Sequence, residues 1–223
     1  MSGIRLKNST PLIIIKDSFS NREERTRFLA NKFGKYLTGE ILDVGCDKAP
    51  LKDIVKNIKY TGIDVSGNPT VKVDLEKIDR LPFTDREFDV VVCCDVLEHV
   101  DNLHHIFSEI VRVAKKTIII SLPNNWTNAR RPIEKGRGAF AFYGLPAQKP
   151  QDRHKWFFGL SEALEFFHAQ QGVHPIKLVE CVVNEKKRNF MVTAVRKLLY
   201  PKQICYLNRY AHTIWAVFQR RDV

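Results

Sequence analysis

The segment Ile41-Leu-Asp-Val-Gly-Cys-Asp47, followed by Tyr60-Thr-Gly-Ile-Asp64, constrains this chain more than any other feature. An apolar run, a glycine turn, helical residues and a second apolar run ending on a carboxylate follow one another in the order of a βαβ unit. In such units the acid closing the second strand can accept both hydroxyls of a ribose, and the glycine lets backbone approach the ligand. The expectation is a parallel sheet with a nucleoside-sized site at one edge.

The rest of the chain extends the alternation. Ser20 or Asn21 can cap a helix reaching about Leu37, with Phe28, Leu29, Phe33, Tyr36 and Leu37 on one face. Strands are expected at Ile41–Gly45, Tyr60–Asp64, Val71–Val73, Phe88–Cys94 and Thr117–Leu122. Helices are expected at Leu51–Asn57, Leu103–Ala114 and Leu160–Gln170. The near-continuous apolar run Phe88–Cys94 suits a strand covered on both faces. Alternating strands and helices give an α/β, doubly wound, mostly parallel sheet. Ile176–Val183 and Asn189–Val195, separated by the polar Asn184–Arg188, read as an antiparallel hairpin closing one sheet edge. Apolar residues at Ile204, Leu207, Ala211, Ile214, Trp215 and Phe218 read as a C-terminal amphipathic helix. The expected organisation is an arm and helix over 1–38, a central domain over 39–200 with a lid at about 123–159, and that helix over 201–223.

Thirty-six Lys and Arg against 25 Asp and Glu leave a formal charge of +11, which favours anionic partners. No cysteine pair has CxxC spacing, and His104 and His105 are adjacent on a helix and point apart, so no metal site is expected. Pro11–Ile15 is too short for a secretory signal core, and no stretch reaches the roughly 18 apolar residues of a membrane span. The expected location is the cytoplasm, with peripheral contact at the inner membrane face as an option.

The ordered set Ile41–Cys46, Gly62-Ile-Asp64, Val73-Asp-Leu75, Leu81-Pro-Phe83, Phe88–Val92, Leu97-Glu-His-Val100 and Ser121-Leu-Pro-Asn124 resembles the class I S-adenosylmethionine-dependent methyltransferases, in particular the type 11 group. The resemblance implies their Rossmann-like fold of seven strands and S-adenosyl-L-methionine as cofactor. It implies that Asp43 and Gly45, with Cys46 and Asp47, lie at the methionine end of that cofactor. Asp64, with Val65 beside it, matches the ribose-binding acid. Asp74 and Leu75 match the pair beside the adenine, and Asp95 the position near the cofactor's amino group. One departure stands out: Asp47 takes a place where the group often has a second glycine.

Methyl transfer to a hydroxyl needs a proton acceptor, and His154 and His99 are the candidates. The chain lacks the Asn/Asp-Pro-Pro-aromatic signature of base amino-methylation and a nucleophilic Pro-Cys pair. Arg130, Arg131, Lys135, Arg137, Lys149, Arg153 and Lys155, interleaved with Trp126, Phe140, Phe142 and Tyr143, suit an anionic acceptor. The expected function is O-methylation of a small or lipid-linked anionic acceptor such as a glycan or lipid intermediate. The alternatives are an RNA methyltransferase and a non-catalytic scaffold or activator.

Overall fold

The computed structural model describes residues 10–138, 142–150 and 153–222. Among these, eight strands form one sheet: β1 (Leu12–Ile15), β2 (Gly39–Val44), β3 (Ile58–Asp64), β4 (Val71–Lys72), β5 (Phe88–Cys94), β6 (Ala114–Pro123), β7 (Ile176–Glu185) and β8 (Ala211–Arg220). Their spatial order is β1-β7-β8-β6-β5-β2-β3-β4, and every pairing is parallel except those of β8 with β6 and β7. The helices are α1 (Arg22–Phe33), α2 (Pro50–Ile54), α3 (Leu103–Val113), α4 (Asn125–Glu134), α5 (Leu160–Val173), α6 (Phe190–Leu199) and α7 (Gln203–Tyr210).

Side-chain alternation sorts the core into two layers. Leu42, Val91, Cys93, Ile118, Ile120, Ile214 and Phe218 pack under α3 and α5, while Ile41, Val90, Val92, Ile119, Trp215 and Val217 pack under α1. Asp43 shares the α1 face with Ile41. Asn21 caps α1 by accepting the Glu24 amide at 2.9 Å, and Phe28, Leu29 and Phe33 bury its inner face.

Three expectations are corrected. The sheet has eight strands rather than seven, because Leu12–Ile15 of the N-terminal arm pairs in parallel with β7. Residues 189–195 do not form the second strand of an edge hairpin; Asn189 caps α6 by accepting the Met191 amide at 2.9 Å. The antiparallel strand is β8, inside the sheet. The expected C-terminal helix therefore ends at Tyr210, and Ala211–Phe218 is strand with Trp215, Val217 and Phe218 fully buried. The run Ile214-Trp-Ala-Val-Phe218 is continuously apolar, as a strand covered on both faces must be, and its chance match to helical spacing hid this.

Candidate cofactor and acceptor site

The parallel strands end together, and the turns beyond β2, β3 and β5 carry the residues singled out in the sequence. Asp43 pairs with Gly62 across the β2–β3 ladder. That glycine leaves room for the diagonal neighbour Tyr60 to donate its hydroxyl to Asp43 Oδ2 at 2.8 Å; a Cβ at Gly62 would stand 2.7 Å from the Tyr60 hydroxyl. Burial pushes the Asp43 carboxyl up to about 6, against the pull of Tyr60, Arg22 and Arg25. Gly45 turns the chain at φ 74°, and a Cβ there would lie 2.2 Å from Val96 Cγ2. The amides of Gly45 and Cys46 both donate to the Ile63 carbonyl, at 2.8 and 3.1 Å.

The loop manages its missing glycines through Asp47 and Ala49, which adopt left-handed backbone at φ 49° and 56°. Asp tolerates this region better than most residues, and strain of this kind concentrates at functional sites. The Asp47 amide donates to Asp64 Oδ2 at 2.9 Å, while the Ser66 amide donates to Oδ1 at 3.1 Å. Two backbone donors leave about half of the carboxylate's acceptor capacity for a ligand diol. Val65 is exposed beside it. Beyond β4, Asp74 accepts from Glu76 at 3.1 Å, and its neighbour Lys77 holds its carboxyl below the usual range. Asn102 donates to the buried Leu75 carbonyl at 3.2 Å.

At the other end of this arc, α1 supplies two cations that sequence reasoning missed. Arg22 donates to the Gly45 carbonyl at 2.8 Å, and Arg25 pairs with Asp95, which also accepts from Ser121 at 2.6 Å. Between Arg22, Arg25, Asp43, Gly45 and Pro50 a cavity of only about 20 Å³ remains. Cations beside the acids Asp43 and Asp95 complement both charges of an amino-acid group, so the residues fit such a moiety; with so little space left, its entry requires the arginines to move. Burial pushes the Cys46 and Cys94 thiols up to about 11 and 12, which removes them as nucleophiles.

His99 and His154, far apart in sequence, come together. Their rings lie edge to face with centroids 4.6 Å apart. Residues 153–158 are stitched onto the turn after β5: Lys155 donates its amide to the Glu98 carbonyl at 2.8 Å, and the Trp156 indole donates to Val100 at 2.7 Å. His154 is buried, stacked on Phe142 at 4.4 Å, with Nδ1 2.9 Å from the Tyr143 hydroxyl and 3.1 Å from Asn125 Oδ1. Glu98 is buried beneath them, with Oε1 3.6 Å from His99 Nε2. Of the lid residues expected to meet an acceptor, Arg130 pairs with Glu134 and Lys155 with Glu76 and Asp101; Phe140 lies outside the described residues.

Residues 42–120 match a family described as "Methyltransferase domain", of the type 11 group. In fold the chain is similar to an S-adenosylmethionine-dependent methyltransferase from Archaeoglobus fulgidus, at 15% identity and TM-score 0.57, covering 91% of this chain and 96% of that one. A methyltransferase from Clostridium acetobutylicum gives 10% identity and TM-score 0.56, with 90% and 93% covered. Residues 42–120 thus match the type 11 methyltransferase family, and the fold is the Rossmann-like one of these methyltransferases. Among curated proteins the chain is 33% identical to an uncharacterised protein of Methanocaldococcus jannaschii, covering 41% of this chain and 43% of that one. It is 32% identical to a ubiquinone biosynthesis O-methyltransferase of Pseudoalteromonas translucida, covering 41% and 45%. The chain thus spans less than half the length of the curated relatives it matches.

The chain has a second feature at the same sheet edge. Residues following β6 and β7 and preceding β8 enclose a groove of about 310 Å³ lined by Arg130, Arg131, Lys186, Arg188, Arg196 and Arg209. Glu134 offsets part of this charge through Arg130 and Arg209. Beside the groove α6 buries no residue: Phe190, Met191 and Leu198 are 84%, 73% and 82% exposed.

Proposed function

We propose that this chain transfers the methyl group of S-adenosyl-L-methionine to an oxygen of an anionic, lipid-linked acceptor. Asp64 receives the ribose hydroxyls, Asp74 and the Leu75 backbone read the adenine, and Asp43 and Asp95 meet the ammonium while Arg22 and Arg25 meet the carboxylate. When bound, the cofactor supplies a methyl group on a positively charged sulfur, already reactive toward an oxygen nucleophile. The chain's work is then alignment and exclusion of water, which can contribute roughly 7–11 kcal/mol. The acceptor's proton is lost, and its charge met, at the cluster that Glu98 and His99, on the turn leading from Asp95, form with His154 of the segment folded over it.

The observation that supports the acceptor class is the six-cation groove, which opens at the carboxyl edge of the strands where ligands of open α/β sheets bind. The exposed apolar residues of α6, with Arg196 and Lys197 among them, suit an anionic bilayer surface. This replaces the expected C-terminal helix as the membrane-facing element, since residues 214–218 are buried in the sheet. No helix among the described residues is long and apolar enough to cross a membrane.

Incubating cell extract with methyl-labelled cofactor and the purified chain tests this reading. Label is expected in the solvent-extractable, anion-exchanging fraction, with yield falling in an Arg188→Ala/Arg196→Ala variant. Label that stays aqueous and disappears on ribonuclease treatment would replace the lipid-linked acceptor with RNA.

A further inference from the structure

We propose that Glu98, His99 and His154 form a binding site for a divalent transition-metal ion of the zinc class. Each offers one ligand atom, and the three atoms lie within 4.8 Å of one another. Donors at about 2.0–2.2 Å from one ion stand at most about 4.4 Å apart, so binding would draw the three side chains together by small rotations.

The hydrogen bonds around the two imidazoles fix which nitrogen is offered. His99 Nδ1 faces the Arg153 carbonyl at 3.1 Å, an acceptor only, so Nδ1 carries the proton and Nε2 the lone pair. Asn125 donates its amide nitrogen to the Trp156 carbonyl at 3.0 Å, which orients its Oδ1 as the atom 3.1 Å from His154 Nδ1. Tyr143 likewise donates to the Trp156 carbonyl at 3.1 Å, so its oxygen accepts from the same His154 Nδ1. His154 therefore also offers Nε2. Two imidazoles held in this way by carbonyl and amide oxygens are the arrangement that metal-binding histidines use. Glu98 supplies the carboxylate and is 1% exposed, as is fitting for a charged ligand in a dry site.

Two nitrogens and one carboxylate favour zinc-class ions over Mg²⁺ or Ca²⁺, which take oxygen ligands. Three protein ligands leave coordination positions open, as in catalytic rather than structural sites. On the methyl-transfer reading, which metal binding itself does not require, the ion rather than a histidine takes up the charge of the acceptor oxygen.

The test is calorimetric titration of ZnCl2 into the chelator-stripped full chain at about pH 7.5, where free imidazoles are mostly neutral. Co²⁺ titration followed by visible absorption reports the ligand set directly. One equivalent should bind. Glu98→Gln and His154→Gln should each weaken binding by more than the 10- to 100-fold that partners behind a ligand contribute, and Asn125→Ala by about 10- to 100-fold. A His104→Ala/His105→Ala variant should bind as the unsubstituted chain does. Melting of the unsubstituted chain, which needs no variant to fold, should rise with Zn²⁺ and not with Mg²⁺. Absence of saturable binding, absence of a Zn²⁺-specific rise in melting, or binding unchanged in folded Glu98→Gln and His154→Gln would each overturn the site. None of these readouts depends on methyl transfer.

Discussion

Asp43→Asn should make the protein more stable at neutral pH while weakening its hold on the cofactor. Burial raises the Asp43 carboxyl to about 6, above the 3.8 of an ordinary aspartate. Between these values the folded chain holds a proton that the unfolded chain has released, so stability falls as pH rises through this window. The penalty is absent below about pH 4 and complete above about pH 7. The gap corresponds to about 3 kcal/mol at full ionisation. Asparagine keeps an acceptor for Tyr60 and never ionises, so the variant should match the parent near pH 4 and exceed it by up to about 3 kcal/mol at pH 8. For a chain of this size that is a rise of roughly 6–12 °C in Tm. Paired melts across pH 4–8, read as the difference between the two proteins, isolate this group from all other titrations. A difference independent of pH, or a variant less stable at pH 8, would refute the reasoning. Calorimetry on the same variant should show weaker cofactor binding, because on the proposed function the Asp43 carboxylate meets the ammonium and the variant is neutral there.

Other outcomes follow from the same geometry. Asp64→Asn should weaken S-adenosylmethionine binding by about 2–3 kcal/mol, or roughly 30- to 150-fold, measured by calorimetry, through loss of the charge-assisted bonds to the ribose that the proposed function assigns to it. Gly45→Ala should cost about 2–4 kcal/mol in urea unfolding, since φ 74° disfavours alanine and its Cβ would meet Val96 at 2.2 Å. Vesicles containing phosphatidylglycerol should sediment the protein while phosphatidylcholine vesicles do not; Phe190→Glu/Leu198→Glu should abolish sedimentation without changing Tm, because both side chains are exposed.

The half of the molecule that was legible in the sequence is the half whose pattern is local. Phe88–Cys94 was read to the residue, because a doubly covered strand has no polar interruption. Leu103–Val113 kept its apolar face at helical spacing. Residues 189–195 were misread because Val192, Thr193 and Val195 favour strands, and α6 has no buried face to mark it as helix. In the site, Asp43, Asp64 and Asp95 stood out as acids closing apolar runs. Tyr60, Arg22 and Arg25 gave no such signal: Tyr60 reaches Asp43 only through cross-strand register, and the arginines arrive by the packing of α1. The meeting of Glu98 and His99 with His154 depends on the 153–158 segment folding back over the turn after β5. An acid beside a histidine in Leu97-Glu-His-Val100 was its only trace in the sequence.

On the proposed function, the edge running from Asp43 to Asp64 and Asp74 holds S-adenosylmethionine. Direct calorimetric titration of S-adenosylmethionine into the unsubstituted chain tests it most plainly. Saturable binding of one molecule per chain, competed by S-adenosylhomocysteine, is the predicted result; a folded chain that releases no binding heat up to millimolar cofactor would contradict it.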